Sequence, residues 1–218
     1  MILENTKNNN IFLTVLSDGM FHQEVPEGTP NEFKREVELK DGTKKIKNEV
    51  SFNKLTGFIT NIYFADGDFG KSINVEIDRE VIVSMGTSNN FGEDFMKKVP
   101  GINLNESVVI RPYSFEDDNK KKRRGINIFQ GETKIENFYY DKDKKKSING
   151  IPEMDKANKK PTKEDWIMHF MVVRKFLIEQ TEKLIKDFGF SSVKKSIVEE
   201  DVISGVEDEE IDTKDIPF

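Results

Sequence analysis

A run of five basic residues between aromatic side chains is the part of this sequence with the clearest potential for chemistry. The segment DDNKKKRRG (117–125) lies between two predicted strands, with Tyr113 and Phe115 before it and Phe129 after it. Its cations are Lys120, Lys121, Lys122, Arg123 and Arg124. Cations can neutralise phosphates and release counterions, and aromatic rings can stack on unpaired bases for roughly 1–3 kcal/mol per base. The pattern predicts a site for single-stranded nucleic acid; the simpler interpretation is a solvated hairpin tip.

Further aromatic and basic residues could extend this site. Alternate residues of a strand share a face, so Tyr113 and Phe115 should point together, and one of Tyr139 and Tyr140 should be exposed. Stacking tolerates any base, so we expect no strong sequence preference. A second basic stretch, DKDKKK (141–146), is interpreted as solvated, although it could lengthen the site. The remaining candidates are Arg111, Tyr63 and Phe69, the last within the predicted hairpin ADGDFG (65–70).

Composition argues against an enzyme or a metal protein. The chain has no Cys and two His, so thiolate zinc sites and His-built metal or catalytic sites are not expected. The segment ADGDFGKS (65–72) resembles a loose phosphate-binding loop. An alternating strand follows it instead of a helix, and Asp66 and Asp68 would repel phosphates. We predict no catalytic residues, no metal and no cofactor.

The last 20 residues carry a net negative charge larger than that of the whole chain, which is −6. Residues 199–218 hold nine acids and one base, a net charge of −8, which leaves 33 bases and 31 acids in the other 198 residues. The segment closes with two large apolar residues around a proline. A ring and a terminal carboxylate can enter an apolar pocket with a basic rim, and proline lowers the cost of ordering. The predicted partner-binding residues are Asp212, Asp215, Ile216, Pro217 and Phe218.

This ending resembles the C-terminus of bacterial single-stranded DNA-binding proteins. Asp215, Ile216, Pro217 and Phe218 match that motif residue for residue. In that family the motif recruits replication, recombination and repair proteins. The stretches SNNFGEDFMKKVPGINL (88–104) and PYSFEDDNKKKRRGINIFQGE (112–132) look like phage-encoded single-stranded DNA-binding proteins, in which a decorated OB fold carries the DNA site. The resemblance transfers no individual DNA-contacting residue.

The elements that must position these residues are mostly short strands. Period-two runs separated by turn residues predict a mainly β fold: an elaborated OB-type Greek-key barrel, with a small sandwich as the alternative. A short helix interrupts the strands at 88–101, capped by Ser88 or Asn89. We predict an OB-fold single-stranded-DNA-binding domain over 1–140, a basic linker over 141–161, a long helix over 162–190 and a disordered acidic tail over 191–218.

The long helix is predicted from a capping signal and an apolar stripe. Thr162 precedes Asp165 by three residues, as in a capping box, and Gly189 ends the pattern. Packing of the stripe on the same chain's barrel is favoured over packing on another subunit. Ile167 and Met171 lie beside the stripe, which is Trp166, Phe170, Val173, Leu177, Leu184, Ile185 and Phe188.

These patterns lead to one expectation and two alternatives. We expect a protein of the cytoplasm, that of the host if phage-encoded, which coats single-stranded DNA in replication, recombination or repair. Its tail would recruit partner proteins, and it could form a homo-oligomer. No spanning helix or signal peptide is visible, so no membrane partner is expected. The alternatives are an interaction protein whose tail diverts host replication factors, and an OB-fold RNA-binding protein.

Overall fold

The structure is a computed structural model that describes residues 10–38, 42–67, 70–154 and 161–190. Within these residues the chain is mainly β, with two principal sheets, a two-stranded ribbon and two α-helices. This confirms the predicted class, the short helix and the long C-terminal helix. No helix in the described ranges is long and apolar enough to cross a membrane.

Thirteen strands and two α-helices make up the described chain. The strands of the first half are β1 Ile11–Val15, β2 Phe21–Glu24, β3 Phe33–Glu38, β4 Lys44–Phe52, β5 Leu55–Gly57, β6 Ile59–Gly67, β7 Gly70–Ile77 and β8 Val81–Gly86. Helix α1 Asn90–Lys98 follows and continues into a 3-10 turn, Val99–Gly101. The remaining elements are β9 Val108–Glu116, β10 Lys122–Gln130, β11 Thr133–Ile135, β12 Tyr140–Asp141, β13 Lys146–Ser147 and α2 Lys163–Asp187.

Two sheets share the hydrophobic core. The larger has the order β3-β4-β2-β1-β8-β7-β6, and the smaller has the order β11-β10-β9-β5. All pairs are antiparallel except β1 with β8. Only Phe58 separates β5 from β6, and these strands belong to different sheets, so the chain passes here from one sheet to the other.

Apolar side chains at alternate strand positions fill the space between the sheets and the helices. Ile73, Val75 and Ile77 of β7 are fully or almost fully buried, as their period-two pattern predicts. The short helix contributes the predicted face, since Phe91, Phe95, Met96 and Val99 are all buried. Asn89 is its cap and accepts a hydrogen bond from the Gly92 amide at 2.9 Å.

Helix α2 packs on its own β domain, which confirms the favoured alternative. Thr162 and Asp165 form the predicted capping box. Its buried side chains are Val173, Leu177, Thr181 and Ile185. It contacts α1, the 3-10 turn and β6, and Glu182 forms an ion pair with Lys71 at 3.1 Å. Met171, predicted beside the buried stripe, is exposed.

The segment predicted as a basic linker contains regular structure in its first half. Strands β12 and β13 pair antiparallel, Tyr140 with Ser147 and Asp141 with Lys146. The Asp141 carboxylate accepts a hydrogen bond from the Lys144 amide at 2.9 Å, which closes the turn between them. Residues 155–160 and the predicted tail, 191–218, lie outside the described residues.

A buried charged cluster joins β2, β3 and β4 on the outward side of the larger sheet. His22 lies between two carboxylates, with Nε2 2.8 Å from Asp18 Oδ2 and Nδ1 3.3 Å from Glu49 Oε2. Arg35 donates two hydrogen bonds to Glu49, at 2.7 and 2.8 Å. Burial opposes charge on both groups. The neighbouring carboxylates of Glu49 and Asp18 nevertheless raise the pKa of His22 above 6.5, and the neighbouring His22 and Arg35 lower the pKa of Glu49 to about 2.

We predict that this cluster makes stability fall at both ends of the pH range. The contribution of His22 is complete below pH 6.5, its ordinary pKa, and is lost as pH rises through the higher folded pKa. The contribution of Glu49 is present above 4.5 and is lost as pH falls through about 2. Urea unfolding across pH should show His22→Gln removing the loss on the alkaline side.

His169→Gln is the matched control for that experiment. Burial lowers the pKa of His169 on α2, so its proton is not bound more tightly in the folded state. An alkaline loss that survives in His22→Gln, or disappears in His169→Gln, would contradict the assignment.

Candidate nucleic-acid interface

The smaller sheet gathers basic and aromatic side chains on its outward surface. In β9 and β10 one set of alternate residues is buried against the core, including Ile110, Ile126 and Ile128. The other set points outward, together with the middle residue of β11. We call this surface the ladder face; it comprises Val109, Arg111, Tyr113, Phe115, Arg123, Gly125, Asn127, Phe129 and Lys134.

No acidic residue occupies a position of the ladder face. Three of its side chains are cations, Arg111, Arg123 and Lys134, and all three are exposed. The outward side of the larger sheet differs, because Glu24, Glu49 and Glu76 lie there. A polyanion therefore meets net positive charge on the ladder face, whereas on the larger sheet it meets carboxylates paired with cations, as Glu49 is with Arg35 and Glu24 with Lys47.

Cations and rings alternate along the ladder face. At the end near the turn Arg123 pairs across the strands with Phe115, and the rings of Phe115 and Tyr113 are 5.8 Å apart. At the other end the Arg111 guanidinium lies 5.6 Å from the centre of the Phe129 ring. Lys134 pairs across the strands with Phe129. From Phe115 to Val109 the face extends about 20 Å, at about 3.3 Å per residue.

The basic segment forms a hydrogen-bonded turn between β9 and β10. The Asp117 carboxylate accepts hydrogen bonds from the Asn119 and Lys121 amides at 2.9 and 3.0 Å, and from Arg123 Nε at 2.9 Å. These bonds lower the pKa of Asp117, the one from Lys121 most strongly. Asp117 therefore fixes both the turn and the Arg123 side chain.

The five predicted cations do not act from one side. Only Arg123 lies on the ladder face. Lys122 and Arg124 are at the alternate positions of β10, on the other side of the sheet, and Lys120 and Lys121 lie in the turn. Lys120 adopts a φ of 59°, in the left-handed region. The five cations are thus distributed around the hairpin tip and do not form a single clamp.

Tyr113 lies over a glycine and beside α1. A Cβ atom on Gly125 would be 2.5 Å from both the Tyr113 hydroxyl oxygen and Asp94 Oδ2. Burial and the Asp94 charge raise the pKa of Tyr113, against the effect of Arg123, so its hydroxyl keeps its proton. Asp94 accepts a hydrogen bond from the Ile126 amide at 2.7 Å and another from Lys98 Nζ at 2.7 Å.

The structure separates the remaining predicted aromatic residues. Tyr139 is 4% exposed and packs edge to face on Phe176, 5.5 Å away, so its ring is not available for stacking. Tyr140 is exposed, which confirms that one of the two tyrosines lies outside. Tyr63 belongs to the larger sheet, paired with Asn74, and is not brought to the ladder face. Phe69 lies outside the described residues, as do the predicted partner-binding residues Asp212, Asp215, Ile216, Pro217 and Phe218.

Sequence reasoning missed Lys134 and Asn127. Lys134 follows the turn after β10, and only the pairing of β10 with β11 brings it beside Phe129. A sequence signal existed: the segment QGET (130–133) is a turn sequence that would return the chain antiparallel to β10. Asn127 pairs with Arg111 and is half-buried between the two ends of the face.

Comparison with known proteins identifies no relative. No protein-family model, no curated protein and no solved structure matches this chain. The function must therefore be argued from the ladder face itself.

We predict that Gly125→Ala disturbs the ladder face and costs about 1–3 kcal/mol of stability, as overpacking does. The new methyl group would displace the Tyr113 ring or the Asp94 carboxylate, which is held by two hydrogen bonds. Gly67→Ala is a matched control, since among the described residues its Cβ would meet only the Gly70 carbonyl oxygen, at 3.7 Å. Thermal unfolding should show a clear loss for Gly125→Ala alone; equal melting temperatures would contradict the packing argument.

Proposed function

We propose that this protein binds single-stranded DNA through the ladder face, without strong sequence preference, and is not an enzyme. The observation that carries the proposal is the composition of that face: its outward positions hold cations, rings, small residues and one amide, and no acid. Cations contact phosphates wherever they occur along a strand, and rings stack on any base. Such a surface suits a protein that coats DNA during replication, recombination or repair.

The exposure of the Phe115 ring favours a single strand over a duplex. Phe115 is 55% exposed, and Tyr113 lies beside it on the same face. A duplex could reach the cations, but its bases are already stacked and would leave the rings unused. Burying Phe115 against a base would also remove apolar surface from water.

We assign the fold to an elaborated OB type. Strands β5–β6, β7 and β8 form a meander, α1 follows, and β9 and β10 form a hairpin, which is the OB order of elements. OB folds bind oligonucleotides with the face of their second and third strands and with the loops after the first and fourth. The corresponding connections here are the one from Gly67 to Gly70 and the turn from Asp117 to Lys121. The second and third strands correspond here to β7 and β8, whereas the ladder face lies on the fourth and fifth, β9 and β10. The chain departs from a simple barrel because β1 occupies the edge of β8 and α1 covers the edge of β10.

Titration of labelled oligo-dT, a matched duplex and oligo-U at two salt concentrations tests the proposal. We expect tight binding to oligo-dT that weakens with salt, and weak duplex binding. The triple variant Arg111→Ala, Arg123→Ala, Lys134→Ala should flatten the dependence of log K on log salt by about 2, at about 0.7 per phosphate contact. Phe115→Ala should cost roughly 1–3 kcal/mol with little change in that slope.

Matched variants elsewhere on the surface control for charge and ring loss. Lys163→Ala, Lys183→Ala and Lys186→Ala together remove three exposed cations from α2, and Phe52→Ala removes an exposed ring from β4. The triple lysine variant should change the salt dependence much less than the triple variant of the ladder face. Phe52→Ala should reduce the affinity for oligo-dT much less than Phe115→Ala. Equal effects would show that binding does not use the ladder face, and preference for oligo-U over oligo-dT would favour an RNA-binding protein.

For the acidic end we propose a second activity, the recruitment of proteins of DNA replication and repair. Its support is the match of Asp215, Ile216, Pro217 and Phe218 to the bacterial motif. The same segment carries a charge of −8 and would compete with DNA for the basic surface. We predict that deleting residues 199–218 tightens oligo-dT binding, most at low salt, because screening weakens the competition as salt rises.

Two further results would contradict or replace these proposals. Unchanged affinity at low salt would contradict competition by the acidic segment. A protein that binds no nucleic acid, while its 199–218 peptide still captures replication proteins, would instead favour the alternative in which the tail diverts host factors.

A further inference from the structure

The outward side of α2 carries the most concentrated exposed apolar surface of the described chain. Five large hydrophobic side chains among the described residues are at least half exposed, and three of them, Met168, Met171 and Val172, lie on this helix. Met171 and Val172 follow Met168 by three and four residues, so all three lie on one face of the helix. The other two, Ile46 and Phe115, lie on separate strands.

The charges that flank this patch are arranged for self-recognition. Exposed Glu164 lies one turn before Met168, and exposed Lys175 lies one turn after Met171. No ion pair joins either residue to another described residue. If two α2 helices run antiparallel about a point midway between Met168 and Met171, each Glu164 lies opposite a Lys175. The same two-fold register places Met168 on Met171 and Val172 on Ile167.

We propose that α2 is a self-association helix: two copies of this chain pair antiparallel across Met168, Met171 and Val172, with Glu164 of each opposite Lys175 of the other. A two-fold contact uses the same surface on both copies, so complementarity within one helix suffices. Further along the same side the face is charged, with Glu179 and Lys183, so the apolar contact is confined to the first half of the helix.

The size of the contact predicts weak association. Residues 164–175 extend about 16 Å along the helix, at 1.5 Å per residue, which is less than a stable interface usually covers. We therefore expect a dimer that forms at high protein concentration. If the proposed DNA binding holds, copies on one strand would be held at millimolar effective concentrations, and the contact would promote cooperative coating.

Sedimentation equilibrium of the full chain without DNA tests the contact independently of DNA binding. Met171→Asp should abolish association. Glu164→Lys and Lys175→Glu should each weaken it about tenfold, because each replaces two attractive pairs with two repulsive ones. The double variant Glu164→Lys, Lys175→Glu should restore it, since the pairs re-form with reversed signs. Glu179→Lys, on the same side but beyond the paired segment, should leave it unchanged.

The rescue by charge exchange decides the proposal. Circular dichroism and melting temperature establish that each variant is folded, which matters for Glu164 in the first helical turn. A wild-type protein that stays monomeric at the highest attainable concentration would overturn the proposal. So would a double variant that remains weakened, or association that disappears when residues 199–218 are deleted.

Discussion

The contact between α1 and the open edge of β10 is the constraint on which the ladder face depends. Strand β10 pairs with β9 along one edge, but β11 covers only the far end of the other. At Ile126 the helix supplies the missing hydrogen-bond partners. Asp94 accepts a hydrogen bond from the Ile126 amide, and Lys98 donates hydrogen bonds to the Ile126 carbonyl oxygen and to Asp94. Burying Lys98 is costly unless it is paired, so the three groups fix one another. At this position the edge is no longer available for pairing with another strand.

The same contact helps to position the ladder face. Tyr113 lies over Gly125 beside Asp94, so the position of one ring follows from the same contact that covers the edge. At the opposite end Asp117 holds the turn and Arg123. The cation nearest the turn and a central ring of the face are therefore fixed before a ligand arrives, which reduces the ordering cost of binding.

The two sheets differ in how they use charge. On the larger sheet carboxylates and cations neutralise one another, as Glu49 does with Arg35 and His22, and the result is a stabilising cluster. On the ladder face Arg123 with Asp117 is the one ion pair among the described residues, so the field of the other two cations extends into solvent. Local composition does not distinguish these cases, because both regions are rich in Lys and Arg. The difference lies in which residues share a face across neighbouring strands.

The sequence by itself determined the mainly β class, the Thr162 cap of α2, the buried side of α1 and the common face of Tyr113 and Phe115, because these follow from residue patterns within one segment. It also singled out the basic segment 117–125, but it could not show that Asp117 orders that turn or that only Arg123 shares the ring surface. Pairing of β11 with β10 places Lys134 on the ladder face, and packing against Phe176 buries Tyr139. Only the tertiary structure decided these points, because strand pairing and helix packing bring together residues that are distant in sequence.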